Sequence, residues 1–550
     1  MDNYKKYNRQ YFMPPQQCYS WTKKEYIDNA PMWCSVDLRD GNQALINPMN
    51  LTQKVEFFKF LCFLGFKEIE IGFPASNDTE YDFCRTLIEN NIIPNDVTIQ
   101  VLTQSREHII EKTFNAIKGA KNVIIHLYNS TSYPQREQVF KKSKDEIKKI
   151  ATEGAALVLN YSKKYNCNFT FEYSPESFTA TEMEFALDVC NSVCDLWQNQ
   201  KVIINLPVTV AHSMSHIYAC QVEYICKNLN NRENIIISVH PHNDRGSAVA
   251  DAEMGLLAGA NRVEGTLFGN GERTGNVDLI TLALNLFSQG IDPKLNFTNM
   301  PEICAAYEEM TSMKVYERQP YSGKLVFAAF SGSHQDAIAK SMKWHEKNKK
   351  STWNVPYLPI DPEDIGRQYE GDVIRINSQS GKGGISFLLQ QQFGFELPPQ
   401  MGESFSHIVK SISDKKQKEL LPDEVVNIFT KEYINISHPI KISQCHFEQK
   451  DKIMKAIVNA SINNEIIEFS GTGNGRLDAI SNGIKQYFKI NYSIIKYTEH
   501  ALEQGSNSQA VAYVGIKLED ETIVWGAGID EDIMTASINA LVSCINKILN

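Results

Sequence analysis

Two histidines one residue apart, His240 and His242, close the apolar run at 235–239. Side chains at i and i+2 of a β-strand share a face, so both imidazoles can grip one metal ion from the end of a buried strand. An acid suited to join them lies far upstream, Asp40 in Asp37-Leu38-Arg39-Asp40-Gly41-Asn42-Gln43, and Asn276 offers an amide downstream. A nitrogen and oxygen donor set without thiolates suits Mg²⁺, Mn²⁺ or Zn²⁺ with positions left open for substrate or water. Such an ion acts as a Lewis acid on a bidentate ligand such as a 2-keto acid. Arg39 is suited to hold a carboxylate or to balance an oxygen gaining negative charge.

These residues need a frame that brings distant segments together. Short strands rich in Val, Ile and Phe are predicted at 32–36, 68–72, 98–102, 122–127, 168–173, 201–206, 235–240 and 262–266, with the composition of strands buried on both faces. Amphipathic stretches separate them. One spans 52–64 with Thr52 as its cap, and another spans 138–161. Eight such units predict a closed (β/α)8 barrel. A doubly wound sheet is the competing arrangement, but no glycine-rich nucleotide turn follows the first strand. On the barrel reading, Arg39 and Asp40 follow strand one, Leu102 closes strand three and His126 ends strand four. Ser174 and Glu176 follow strand five, and Thr209 follows strand six. The two histidines end strand seven, and Asn276 lies in the loop after strand eight. Each has a plain structural explanation alone, as a turn, a helix cap or a solvated acid. Their joint fall on the carboxyl-terminal face, where such barrels carry their active sites, points to one site. The loop 269–276 is glycine-rich and precedes a helix, so its N–H groups are candidates to meet a phosphate or pantetheine.

The 550 residues are 42% hydrophobic and 22% charged, as expected of a globular chain. A net charge of -10 argues against nucleic acid as the main partner. The start of the chain lacks the apolar core of a signal peptide, and no apolar run is long enough to span a membrane. The 12 cysteines include no zinc-type pair, which predicts reduced thiols and a cytoplasmic protein. Residues 291–425, with Pro301, Pro320, Pro356, Pro359 and Pro362, read as a connecting region of small subdomains without a second large core. Beyond it an internal repeat is predicted. A hairpin at 457–469 leads through Gly471-Thr472-Gly473 into a helix, and a hairpin at 510–525 leads through Gly526-Ala527-Gly528 into another. His334 and Tyr357 stand in contexts that mark neither for chemistry.

The motifs Leu38–Gln43, His126–Ser132, Tyr173–Glu176, Asn205–Val210, His240–Asp244 and Gly269–Asn276 together resemble the 2-isopropylmalate synthase family. The likeness continues through 331–336, 355–361 and 377–384 to the C-terminal repeat. It implies an N-terminal extension (1–30), a catalytic barrel (31–325), linker subdomains (326–425) and a leucine-binding regulatory α+β domain (426–550), assembled as a homodimer. It also implies a metal shell of Asp40, His240, His242 and Asn276, with Mg²⁺ first, Mn²⁺ or Zn²⁺ as alternatives, and a monovalent cation such as K⁺ as a helper. Arg39, His126, Ser174, Glu176 and Thr209 match the groups around 2-oxoisovalerate, and Leu102 a wall of the isopropyl pocket. His334 and Tyr357 match a pair reaching the active site from the partner subunit. Gly471, Gly473, Gly526 and Gly528 are expected to hold leucine. The implied reaction is a Claisen-type condensation of acetyl-CoA with 2-oxoisovalerate, with Glu176, His334 and Tyr357 as candidate bases. Citramalate or homocitrate synthase is the alternative within this chemistry, and a hydroxymethylglutaryl-CoA lyase-like enzyme a more distant one.

Overall fold

The structure, a computed structural model, describes residues 2–328, 332–348, 352–369, 382–416, 420–463, 465–502 and 508–549. Of the predicted motifs, 377–381, Phe330, Ser331 and Asn464 lie outside the described residues. The chain forms two compact units, residues 1–326 with 363–367, and residues 327–362 with 368–550.

The first unit is built on a closed parallel barrel of eight strands in sequence order. These are β1 (Met32–Ser35), β2 (Glu68–Gly72), β3 (Thr98–Gln104), β4 (Asn122–Ser130), β5 (Asn168–Glu176), β6 (Lys201–Val208), β7 (Ile235–Pro241) and β8 (Arg262–Gly265). Closure comes from β1 pairing with β8, Met32 opposite Arg262 through Ser35 opposite Gly265. Strands β4 and β5 run further than the apolar pattern indicated, staying paired to Ser130 opposite Glu176. Ser174 and Glu176 therefore lie on β5 and not after it, and Leu102 and His126 lie inside their strands. The backbone ladder continues wherever N–H and C=O groups can pair, whatever the side chains are.

Helices cover the outside. The first, α1 (Leu51–Phe63), is capped by Asn50, whose side chain takes the Gln53 N–H while Gln53 answers the Asn50 N–H. Thr52 is thus inside the helix, because Asn50 makes the reciprocal box two residues earlier. The helix expected at 138–161 is divided. A short turn at Gln135–Phe140 ends on Lys141 in a left-handed conformation, and Ser143 caps a fresh helix at Lys144–Ser162. Among the described residues no helix is long and apolar enough to cross a membrane.

The barrel interior departs from the all-apolar expectation. Gln100 on β3 bonds Glu264 on β8 at 2.8 Å, and Asn205 on β6 reaches the same carboxylate at 3.1 Å. These strands are not neighbours, so the contacts cross the interior. Glu70, Gln100, Glu172, Arg262 and Glu264 are all 0% exposed. Arg262 satisfies its guanidinium on Glu68 (2.5 Å), Ser238 (2.9 Å), Glu264 (2.8 Å) and Gln100 (2.6 Å). The strands thus alternate apolar outward and polar inward at this level.

In the second unit each half of the repeat is a three-stranded antiparallel sheet with one helix. The first joins β9 (Ile440–Lys450), β10 (Ile453–Ile462) and β11 (Glu465–Gly473) to helix Arg476–Phe488. The second joins β12 (Tyr492–Ala501), β13 (Ala510–Leu518) and β14 (Ile523–Asp530) to helix Ile533–Leu549. Strands β9 and β12 extend the hairpins read from sequence. The Gly-x-Gly elements are strand, not turn. A Cβ at Gly471 would collide with Ala479 O and Gly483 N, and one at Gly528 with Ala536 O and Ala540 N. Glycine is there because helix backbone lies directly on the strand. The region expected to be only a connector also supplies core, burying Leu388, Phe405 and Val409 with Val511, Tyr513 and Trp525.

Candidate active site

A tight helical turn, Asp37–Gly41, follows β1. Val36 O takes the N–H groups of Arg39 (3.2 Å), Asp40 (2.9 Å) and Gly41 (3.2 Å), which turns Arg39 and Asp40 over the barrel mouth. Buried Asp37 pins this turn to the segment after β8 by accepting the Leu267 N–H at 3.1 Å. Across the mouth, β7 delivers its histidines. His242 N–H is tied to Val208 O at 3.1 Å, and Val277 N–H to Pro241 O at 2.9 Å. The glycine-rich loop is closed by Asn276 N–H on Gly269 O at 3.1 Å. Gly275 sits there at φ +93°, where a Cβ would meet Gly269 O, so this position requires glycine. The N–H groups of Gly269, Asn270, Gly275 and Asn276 are spent inside the loop or on its flanks. Those four are therefore not free to meet a phosphate.

The donors converge. Asp40 Oδ2 lies 3.1 Å from His240 Nε2 and 3.6 Å from His242 Nε2. Asn276 Nδ2 lies 2.8 Å from the same oxygen and 3.1 Å from His240 Nε2. One ligand atom each from Asp40, His240 and His242 fits within 4.8 Å of the others, and all three residues are buried. Asn276 Oδ1 and His242 Nδ1 are buried with no hydrogen-bond partner among the described residues. A carboxylate and two imidazole nitrogens facing one point need a proton or a cation between them, and the unpartnered Asn276 oxygen is a fourth donor within reach of an amide flip. The set therefore fits a divalent cation.

Charge at the site is strongly coupled. Burial opposes ionisation of Asp40, but Arg39 and His240 outweigh it and hold the carboxyl well below its usual range. Burial also opposes a charge on His240, yet its bonds to Asp40 and Glu264 push it up to about 9. His242 is lowered to about 4 by burial and by the charge on His240. Arg39 places Nη1 2.9 Å from Asp40 Oδ1 and Nε 2.5 Å from Glu70 Oε2.

A cavity of about 630 Å³ opens over these groups. Arg39, Asp40, Leu102, His126, Ser174, Glu176, Thr209, His240 and His242 line it together with Asn205, Pro207, Glu272 and Arg273. His126 Nε2 meets Ser174 Oγ at 2.7 Å, and its Nδ1 meets Glu70 Oε1 at 2.8 Å. Glu176 accepts from Ser130 Oγ. Thr209 Oγ1 accepts the Ser177 N–H at 2.9 Å. Sequence reasoning missed Arg273, which ties the loop after β8 to the ends of β6 and β7 through Thr209 O (2.6 Å) and Asp244 (2.7 Å). It also missed the acids below, Glu70 and Glu264. Their signal was the strict alternation in Glu68-Ile69-Glu70-Ile71 and Arg262-Val263-Glu264.

His334 and Tyr357 belong to the second unit. Their rings stack with centroids 4.0 Å apart, and both side chains are exposed. Gly471, Gly473, Gly526 and Gly528 lie in the same unit, at the sheet-to-helix contacts described above.

Residues 30–306 match the HMGL-like family, residues 324–390 the alpha-isopropylmalate synthase, post-catalytic domain-like family, and residues 419–549 the LeuA allosteric (dimerisation) domain. A curated relative from Helicobacter hepaticus, 2-isopropylmalate synthase, is 59% identical over 561 residues, covering 100% of both chains. A protein of the same name from Desulfitobacterium hafniense is 60% identical over 100% of this chain and 99% of its own. One from Clostridium acetobutylicum is 52% identical over 96% of each.

Proposed function

The chain belongs to the 2-isopropylmalate synthase family, and we propose from that premise that the barrel mouth is where it joins acetyl-CoA to 2-oxoisovalerate. It is an acyltransferase of leucine biosynthesis that converts the acyl group to an alkyl group on transfer. The observation that carries the site assignment is the convergence of Asp40, His240 and His242 on one point beside Arg39.

Asp40, His240, His242 and Asn276 hold the cation, Mg²⁺ first, with Mn²⁺ or Zn²⁺ as substitutes and a monovalent cation such as K⁺ as helper. The cation supplies Lewis-acid polarisation of the 2-oxo acid carbonyl. Arg39 faces the oxygen that gains charge as the new bond forms, already aligned by Asp40 and Glu70. His126, Ser174 and Thr209 surround the 2-oxo acid, while Leu102 forms a wall for the isopropyl group. A base takes a proton from the acetyl methyl, and the resulting carbanion attacks C2, whose oxygen takes up a proton. Water then adds to the thioester carbonyl, and CoA leaves as the thiol. Glu176, His334 and Tyr357 are the candidate bases. The exposure of His334 and Tyr357 in their own unit supports their serving a partner's barrel in a homodimer. Leucine acts as effector through the C-terminal unit, at the glycine contacts of Gly471, Gly473, Gly526 and Gly528. We place the enzyme in the cytoplasm.

The test is release of free thiol by the full chain with Mg²⁺, acetyl-CoA and a panel of 2-oxo acids, with and without leucine. The highest kcat/KM is expected for 2-oxoisovalerate, with inhibition by leucine. A higher value for pyruvate or 2-oxoglutarate would reassign the substrate, and indifference to leucine would remove the effector.

A further inference from the structure

Four glutamates line the inward side of β2, β5 and β8 or their edges, and they are not equivalent. Glu264 receives a donor on every side. Its Oε1 accepts from Gln100 Nε2 and Arg262 Nη1, each at 2.8 Å. Its Oε2 accepts from Asn205 Nδ2 at 3.1 Å and faces His240 Nδ1 at 2.7 Å. The carboxylate is 0% exposed and cannot turn without abandoning a partner. Glu172 lies in the same layer, also 0% exposed, 3.5 Å from Arg262 Nη1. Neither of its oxygens has a hydrogen-bond donor among the described residues. The two candidate ligand imidazoles differ in the same way, since His240 Nδ1 rests on Glu264 while His242 Nδ1 has no partner among the described residues.

We infer that Glu264 is a positioning residue for the cation site. Its Oε2 keeps a proton on His240 Nδ1, so that Nε2 is the nitrogen that turns a lone pair toward Asp40 and His242. An imidazole whose far N–H is held by a carboxylate is fixed in ring orientation and tautomer, and is a more basic ligand. The four-donor cage makes Glu264 rigid, so the choice of nitrogen is built into the barrel floor. His242, without such a hold, is the weaker and more adjustable ligand. This rests on the cation reading given above.

The experiment is calorimetric titration of the full chain with Mn²⁺. Glu264→Gln keeps the side-chain shape but loses the charge that holds the Nδ1 proton, and is expected to weaken Mn²⁺ binding by about 10- to 100-fold. Glu68→Gln, which takes a carboxylate from the same arginine but has no hydrogen bond to Glu264 or His240 among the described residues, is expected to stay within about twofold of the parent, the scatter of such a titration. Equal affinities in parent and Glu264→Gln, or an equal loss in Glu68→Gln, would overturn the inference. A parent chain that binds no Mn²⁺ would strike the cation reading itself, and this inference with it. Should Glu264→Gln not fold, pulsed electron paramagnetic resonance of the Cu²⁺-loaded parent decides. Two unequal remote-nitrogen couplings are expected, one for an imidazole held by a carboxylate and one without; a single coupling common to both rings would refute it.

Discussion

Loading the barrel mouth with a divalent cation at pH 7 should expel one proton. In the cation-free site the bonds to Asp40 and Glu264 overcome burial and raise His240 to about 9, so at pH 7 this ring carries both of its protons. His242, lowered to about 4, is already neutral, and Asp40 is already ionised. A cation needs the Nε2 lone pair of His240, so it competes with the proton there. Because His240 titrates about two units above pH 7, displacing its proton costs about 2.7 kcal/mol at ~1.36 kcal/mol per unit. The sign follows: protons bind the empty site, so affinity falls as pH falls. Apparent affinity should rise about tenfold per pH unit between about 5 and 9 and level off above that, a gain of roughly 100-fold from pH 7 to pH 9. Below about 4 a second proton, on His242, joins the competition. The measurement is Mn²⁺ titration calorimetry at pH 7 in two buffers of different ionisation enthalpy, whose difference gives the protons released. Zero or two protons at pH 7 would refute the arrangement of charges drawn here.

Two further outcomes follow from packing. Leu102→Ala should strip the wall facing the substrate's two methyl groups; at ~0.8 kcal/mol per carbon, kcat/KM for 2-oxoisovalerate should drop about 10-fold, while a 2-oxo acid longer by two carbons gains a similar factor. An unchanged substrate ranking would remove Leu102 from the specificity wall. Gly528→Ala places a methyl against Ala536 O and Ala540 N, backbone atoms that cannot rotate aside, and should destabilise that contact by about 1–3 kcal/mol. Amide exchange in helix Ile533–Leu549 should speed up while the barrel strands keep their protection, and unchanged exchange in that helix would show that the sheet gives way without cost.

Strand positions in the barrel were readable because most are short runs rich in Val, Ile and Phe, and the site was readable where spacing alone determines geometry. His240 and His242 share a face by strand period, and the turn after β1 could bring Asp40 to them only if the barrel closed. Glu70 and Glu264 were not readable in the same way. A lone acid in a sequence is most often solvated, and nothing near Glu264 in the chain announces Gln100, Asn205 or His240 as partners. The alternation of acid and isoleucine in β2 was present, yet strands rich in Val and Ile elsewhere favoured a reading in which both faces are apolar. Strands β9 and β12 escaped for the opposite reason. Each exposes much of its length, so polar residues interrupt the pattern that marks a buried strand. The glycine pairs misled because glycine signals a turn locally, whereas here it permits a helix to lie against a sheet, a cause that appears only once both elements are placed.

A charged floor is a poor way to gain stability. Each buried ion costs several kcal/mol in desolvation, and well-packed apolar side chains of the same volume are often the more stable choice. Barrels of this kind usually fill their interior with Val, Ile and Leu. The departure is placed where it serves the mouth. His126 rests its Nδ1 on Glu70 at 2.8 Å, as His240 rests its Nδ1 on Glu264 at 2.7 Å. Glu70 in addition aligns Arg39, and Arg262 with Gln100 holds Glu264 in place. Two imidazoles that present Nε2 to the cavity are thus each backed by a floor carboxylate on Nδ1. One of them faces the cation donors and the other the substrate wall. Removing either carboxylate takes one partner from a buried arginine, leaving Arg39 on Asp40 or Arg262 on Glu68, and frees a ring to change tautomer, so the loss is felt both in folding and at the site. Only a readout taken at the site separates the two, which is why cation affinity and nitrogen couplings, and not thermal stability, decide what the floor is for.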